Sequence, residues 1–446
     1  MRILFVIRAV EHFYYFRTIV DALWERGHKV KVLFDRQNSS WDSKQLDKVV
    51  GGRFEVAWTK RSSTKRRKLL YYSRDLRSYL NYLRIADQSI FYEIRARDAL
   101  FWPIRVFVSL PGMGRLLASD FVTGLLSLFE MLVPPEGDVK ADICSFDPDV
   151  VVASPLNLGF SSGDCEYVKA AKKLGIKTVF PVFTWDSLTT KGLVPVKPDL
   201  VLAWNRAQVK EGVEFQKIDP ETIKICGAPV FDFWFKIKTP KLSRAAFCRK
   251  YNLDKNKPIL VYLGTSFSLV GDESWLVSSL RQSLDDINKL KDVQLVVRPH
   301  PYNDCFFNFH KEGVWVIPKV GVPPYKDSAI QLYFDTLYYA FATIGINTTG
   351  HIDSMIVDKP TIAYLVEKYN QKQKETMHFR YILNSGAVEV AKSKQEFIHI
   401  VKKLLANRDT LKSKRKKFVE NYIRPHGISK SVGEIAALEI EKISDF

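Results

Sequence analysis

The sequence predicts an α/β protein of two domains, each built on an open parallel sheet. Three observations predict it. The chain has 446 residues, which at roughly 100–200 residues per domain means two or three domains. Short apolar runs recur along it, as in strands buried on both faces. Helical spacings separate those runs, and alternation of strand and helix implies parallel pairing through crossovers.

In chain order, Ile3–Ile7 is a continuous apolar run and predicts the first strand. A loop with Glu11 and His12 follows, then Phe16, Ile19, Val20, Leu23 and Trp24 at helical spacing. Gly27-His28 ends that helix, Val30–Phe34 predicts a second strand and Phe54–Trp58 a third. Further strands are predicted at Asp149–Ser154, Lys177–Phe183, Leu200–Trp204 and Ile223–Gly227, with a helix near Glu166–Leu174. A second rhythm runs through Pro258–Gly264, Val293–Arg298, Val314–Ile317, Tyr339–Ile344 and Pro360–Tyr364. Helices are predicted at Trp275–Leu290 and Thr348–Val357, and more helices close the chain. Both halves therefore read as α/β domains. The expected division is 1–235 for the first, 236–425 for the second, and 426–446 for a C-terminal helix that packs back on the first.

The segment 60–115 breaks the rhythm and reads as a helical insertion. It holds thirteen Lys/Arg, among them Arg61, Lys65, Arg66, Arg67, Arg74 and Arg77, against Asp75, Asp87, Glu93 and Asp98. Aromatic residues are interleaved with them. Leu76, Tyr79, Leu80 and Leu83 recur at core spacing, so part of the segment packs inward. The whole chain carries +18. Such a charge suits an anionic partner, whether nucleic acid, a phosphorylated ligand or a lipid surface. No nucleic-acid motif supports the first of these.

Composition excludes other classes. Hydrophobic residues are 46% and charged residues 26%, enough apolar surface to offset chain entropy, so disorder is not the main state. Five dispersed cysteines without CxxC or zinc spacing suit a reducing compartment and predict no metal site. The first apolar run is too short for a signal peptide, and no stretch reaches about 18 uncharged apolar residues. Asp147-Pro-Asp149 precedes its strand, at the wrong end of the sheet for a ligand. The sequons at Asn38 and Asn347 mean nothing without secretion.

The chemistry-bearing residues cluster after predicted strands. In open α/β sheets, ligands bind beyond the carboxyl ends of the strands. In the second half these loops hold Gly264-Thr265-Ser266, then Arg298-Pro299-His300-Pro301, then Asn347-Thr348-Thr349 with Asp353 a turn later. Arg and His donate to phosphate oxygens, and a helix start with hydroxyls can hold a diphosphate. Asp353 stands where a carboxylate could bridge ribose hydroxyls. In the first half, Glu11 and His12 follow one strand. Thr184–Gly192 follows another and supplies Asp186, hydroxyls and Lys191. His12, then Asp186, then Glu11 are the candidates for a general base.

With these residues in place, the chain resembles GT-B glycosyltransferases, which have two Rossmann-like domains facing across a cleft with the nucleotide donor in the second. Residues 255–370 resemble bacterial capsule and teichoic-acid polymer enzymes, including CDP-glycerol glycerophosphotransferases. The Arg298–Pro301 segment resembles their (K/R)PHP strand end, Thr348–Asp353 their SSxxxE helix start, and Asp358-Lys359-Pro360 their GKP turn. The resemblance implies that Arg298 and His300 face a donor diphosphate, that Thr348 and Thr349 hold phosphate, and that Asp353 meets the ribose. It also implies a nucleotide-sugar donor, no bound cofactor or metal, and a hydroxyl acceptor such as a lipid-linked glycan. The basic insertion would dock on an anionic membrane surface, which places the protein in the cytoplasm or on the inner face of the membrane. UDP-N-acetylglucosamine 2-epimerases share this fold, so fold alone does not set the reaction.

Overall fold

The computed structural model describes residues 1–35, 52–60, 65–85, 88–157, 163–322 and 327–444. Arg61, Asp87 and the Asn38 sequon lie outside the described residues, as do the side chains of Lys65 and Arg66. The chain forms two compact units, Met1–Asp232 with Tyr422–Phe446, and Phe233–Asn421.

The first unit holds seven strands: β1 Arg2–Ile7, β2 Lys29–Phe34, β3 Glu55–Trp58, β4 Val150–Ser154, β5 Lys177–Pro181, β6 Leu200–Ala203 and β7 Ile223–Ile225. They pair in parallel in the order β3-β2-β1-β4-β5-β6-β7. Phe5 faces Val32 on one side and Val152 on the other. Every residue from Ile3 to Ile7 is buried, which explains the unbroken apolar run. The order reverses between β1 and β4, and this is the sheet's switch point. The helix Phe13–Glu25 buries Phe16, Ile19, Val20 and Leu23 in one core with Ala436, Ala437 and Ile440 of the C-terminal helix Val432–Ser444.

Asp232 explains where this unit ends. It is fully buried and accepts hydrogen bonds from Arg424, from Ser431 Oγ at 3.1 Å, and from the backbone N–H groups of Val432 at 3.2 Å and Gly433 at 2.9 Å. The returning segment therefore begins at Tyr422, ahead of the expected 426.

The second unit holds β8 Ile259–Leu263, β9 Gln294–Arg298, β10 Val314–Val316, β11 Ala342–Gly345, β12 Thr361–Tyr364 and β13 Glu389–Ala391. All pairs are parallel, in the order β10-β9-β8-β11-β12-β13, with the switch between β8 and β11. Two expectations need correction. The strand expected at Tyr339–Ile344 starts at Ala342, because Tyr339 ends a helix, Asp327–Tyr339. β13 was not expected, since three residues at a sheet edge make no apolar run.

The helical insertion between β3 and β4 is longer than 60–115. Among the described residues it comprises Lys65–Arg84, Ile90–Asp98, Trp102–Val108, Met113–Leu117, Asp120–Leu132 and Gly137–Phe146. Tyr79, Leu80, Leu100 and Val108 form its small core, joined by Leu76 and Leu83. Its charge is not all solvated: Arg67, Arg74 and Arg77 are buried. Arg74 makes paired 2.8 Å bonds to Glu130 and a 2.6 Å bond to Glu166, and Lys169 reaches Glu130 at 2.8 Å. Burial alone would raise the Glu130 carboxyl, but the hydrogen bonds from Arg74 and Lys169 outweigh it and hold it at about 2. These cations stabilise the insertion and are not available to a membrane.

Candidate functional site

In the second unit, three loops leave the carboxyl ends of β9, β8 and β11, which stand side by side at the switch point. They are in contact. Gly264 N–H donates to Arg298 O at 2.9 Å, and a Cβ on Gly264 would lie 2.7 Å from His300 N and 3.1 Å from Arg298 O. Gly264 is therefore required by close backbone approach. A Cβ on Gly350 would lie 3.0 Å from the Leu263 side chain, so the β11 loop closes against the end of β8.

Arg298 is the central cation. It is buried, and its guanidinium carbon lies 3.8 Å from the centroid of the Tyr333 ring. Its Nη1 has no hydrogen-bond partner. Burial lowers its affinity for its proton, while Tyr333 and Asp353 oppose that effect. A buried guanidinium nitrogen without a partner is costly unless a ligand supplies an acceptor. Thr265, on the loop after β8, is also buried. Its backbone N–H donates to Glu273 Oε1 at 2.7 Å, and Asn303 Nδ2 donates to its carbonyl at 2.9 Å. Glu273 also accepts from Tyr262 Oη at 2.7 Å. Burial pushes the Glu273 carboxyl up to about 7, against those bonds.

His300 is half-buried, and burial pushes it down to about 4. It is neutral near pH 7, so it offers a neutral N–H. Its Nδ1 accepts from Tyr302 N at 3.1 Å, which leaves the ring proton on Nε2 as the available donor. A pocket of about 440 Å³ opens beside this loop, walled by Phe267, Pro299, Pro301, Tyr302, Phe307 and Val320. The Phe267, Tyr302 and Phe307 rings are exposed there.

Other expected residues have internal work. Asp353 is buried and accepts from Trp234 Nε1 at 2.7 Å and Tyr333 Oη at 2.9 Å. Burial raises it to about 6. Each of its oxygens accepts one hydrogen bond inside the domain, and Tyr333, which donates one of them, also carries the Arg298 guanidinium over its ring. Asn347 is buried and donates to Lys372 O at 2.6 Å. Thr348 Oγ1 accepts from Gly350 N at 3.2 Å, Thr349 is exposed, and the helix Gly350–Ile356 that follows has only seven residues. Ser266 is half-buried, 3.3 Å from Ser268 Oγ, at the start of the short helix Phe267–Val270.

In the first unit, His12 closes a 3₁₀ turn, Val10–His12, just after β1. Its ring centroid is 4.6 Å from that of Phe183, at the end of β5. Burial pushes it down to about 4, helped by Arg8 and Lys191. Its Nδ1 is buried without a partner. Asp186 is differently placed: it accepts from Thr184 Oγ1 at 2.6 Å and Thr190 Oγ1 at 2.8 Å, and pairs with Lys191 at 3.1 Å. Two hydroxyls and a lysine thus converge on this carboxylate. Glu11 is half-buried in the same turn as His12. Asp149 accepts from Arg2 N at 2.6 Å, a structural bond. Among the described residues, no cluster of three or more His, Cys, Asp or Glu is arranged to hold a metal ion.

The residues that sequence reasoning missed are Tyr333, Glu273 and Asn303. Tyr333 stands within the helix Asp327–Tyr339 and Glu273 just ahead of the helix Ser274–Asp285, and both act on the loops only through tertiary contact. Asn303, two residues past Pro301, carried a weak signal as a loop amide.

Two parallel α/β units, each with reactive side chains beyond its strand ends, define a protein of the GT-B fold. Solved structures bear this out over the full chain. The UDP-GlcNAc 2-epimerase of Methanocaldococcus jannaschii superposes with a TM-score of 0.56 at 12% identity, covering 100% of both chains. The UDP-GlcNAc 2-epimerase of Neisseria meningitidis, bound to UDP-GlcNAc, gives 0.55 at 12% identity, again covering 100% of both chains. A glycosyltransferase from Rickettsia africae gives 0.53 at 12% identity, covering 100% of this chain and 97% of that one. At such identity the likeness is one of fold. No protein-family model matches the chain, and no curated protein matches its sequence.

Proposed function

We propose that the chain is a glycosyltransferase that moves a sugar from a nucleotide-diphosphate donor to a hydroxyl acceptor. Arg298 carries the reading: a buried cation at the switch point with Nη1 unpartnered. The diphosphate is the group such a donor suits, and its charge grows as the sugar–oxygen bond breaks. His300 Nε2 adds a neutral donor. The pocket lined by Phe267, Tyr302 and Phe307 has the size and aromatic walls for the nucleobase.

For the acceptor we assign His12 as the base. It is uncharged near pH 7, so it can take the proton of the acceptor hydroxyl as that oxygen attacks the anomeric carbon. The electron pair of the broken bond leaves on the diphosphate. The sequence resemblance favours a lipid-linked glycan as acceptor, hence surface polysaccharide or glycolipid synthesis at the cytoplasmic face of a membrane. A CDP-glycerol-type donor is the nearest variant. The fold neighbours favour a second reading, epimerisation of UDP-GlcNAc without an acceptor.

A melting screen of the protein against UDP, CDP, GDP, ADP and their sugar or glycerol conjugates tests the donor assignment. One base alone should raise the melting temperature. No response to any of them overturns it. Incubation with UDP-GlcNAc and no acceptor then separates the readings: a 2-epimer formed in that mixture removes the transferase.

A further inference from the structure

The insertion leaves an apolar surface turned outward. The helix Asp120–Leu132 is apolar on two sides. Val122 and Leu126 pack on the core of Tyr79 and Leu80. Phe121, Leu125, Leu128 and Leu132, at helical spacing, are exposed, with Phe121 at 75% and Leu132 at 71%. The helix Trp102–Val108 repeats the pattern: Ile104 and Val108 face the core, while Trp102, Val106 and Phe107 are exposed. Scattered exposed apolar residues are ordinary, but a contiguous face of this kind marks an interaction site.

We propose that the helices spanning 101–132 dock this protein on an anionic lipid bilayer, lying in the headgroup layer. Charge selects the occupant. The sequence between Asp98 and Asp120 carries no acidic residue, while Arg105 and Arg115 are both exposed there. The two acids of the helix Asp120–Leu132 are engaged: Asp120 pairs with Arg84, and Glu130 is buried against Arg74. Exposed aromatic and aliphatic side chains flanked by arginine alone suit acyl chains below phosphate headgroups. Among the described residues no helix is long and apolar enough to cross a membrane, so the face would lie on the bilayer. The membrane contact thus moves away from Arg67, Arg74 and Arg77 to a surface one helix layer further out. The inference does not need the transferase reading.

The test is co-sedimentation of the full chain with vesicles of phosphatidylcholine, and of phosphatidylcholine with about one-third phosphatidylglycerol. The chain should pellet with the anionic vesicles. Phe121→Ser/Leu125→Ser/Leu132→Ser should weaken that binding about tenfold or more. Arg105→Glu/Arg115→Glu should remove the preference for phosphatidylglycerol. All five side chains are exposed, so melting temperatures should hold; if the triple variant melts early, Phe121→Ser alone replaces it. Wild-type chain left in the supernatant, or a triple variant that pellets as wild type, overturns the proposal. A wild-type dimer that the triple variant abolishes, with no vesicle binding, also overturns it and assigns the face to a second copy. The nucleotide screen is unaffected by either result, so the two failures are distinguishable.

Discussion

Arg298→Met separates a ligand-binding cation from a structural one. Two terms act on the ligand-free protein. The contact with the Tyr333 ring, at 3.8 Å and away from solvent, stabilises by about 2 kcal/mol. The unpartnered Nη1 costs about 1–3 kcal/mol. Met fills similar volume without a polar atom, so the terms nearly cancel and stability should move by less than about 1 kcal/mol. Binding behaves differently. Losing a charge-assisted bond to a diphosphate costs about 2–3 kcal/mol, a drop of about 30- to 150-fold in affinity. Thermal unfolding without ligand and calorimetric titration with the responsive nucleotide read the two quantities. A variant that loses more than about 3 kcal/mol of stability yet keeps its nucleotide affinity would refute the reasoning and make Arg298 structural.

Gly264→Ala places a Cβ 2.7 Å from His300 N, a backbone atom that cannot swing aside. It should cost about 1–3 kcal/mol and weaken nucleotide binding with it, read by unfolding and titration. His12→Gln should abolish turnover while leaving donor affinity intact. In the wild type, the ring at about 4 stays unprotonated across neutral pH, so the acid limb of kcat/KM should fall well below pH 6; a limb near 6.5 would exclude this histidine. Burial lowers the folded-state value of His12, so the stability tied to it grows as pH rises from about 4 to 6.5 and is lost on acidification. Asp232→Ala removes the buried carboxylate to which Arg424, Ser431, Val432 and Gly433 donate and should destabilise the first unit by about 3–5 kcal/mol, measured in denaturant.

The buried parallel strands were legible because burial on both faces writes an unbroken apolar run, as at Ile3–Ile7 and Ile259–Leu263. The edge strand Glu389–Ala391 was not, since Glu389 faces Lys403 at 2.6 Å and interrupts any such run. The segment Tyr339–Ile344 is aromatic at its start and β-branched at its end, so Tyr339, the last residue of a helix, read as strand. The loops of the candidate site were legible as small and basic residues after strands. What each side chain does there was not, because the partners are remote: Trp234 lies 119 positions from Asp353, and Glu166 lies 92 from Arg74. Charge in a sequence carries no mark of whether a carboxylate will meet it inside the fold.

The discontinuous first unit has a consequence for biosynthesis. The helix Phe13–Glu25 finds its partners Ala436, Ala437 and Ile440 only in the last turns of the chain. Gly433 packs there because a Cβ would strike Thr18 O at 2.2 Å. A nascent chain thus emerges with one side of its earliest sheet uncovered, while Phe233–Asn421 holds all that its own sheet requires. The unit translated first is completed last, and a ribosome that stops short of residue 422 releases a product with an open apolar face, the kind that chaperones and proteases recognise.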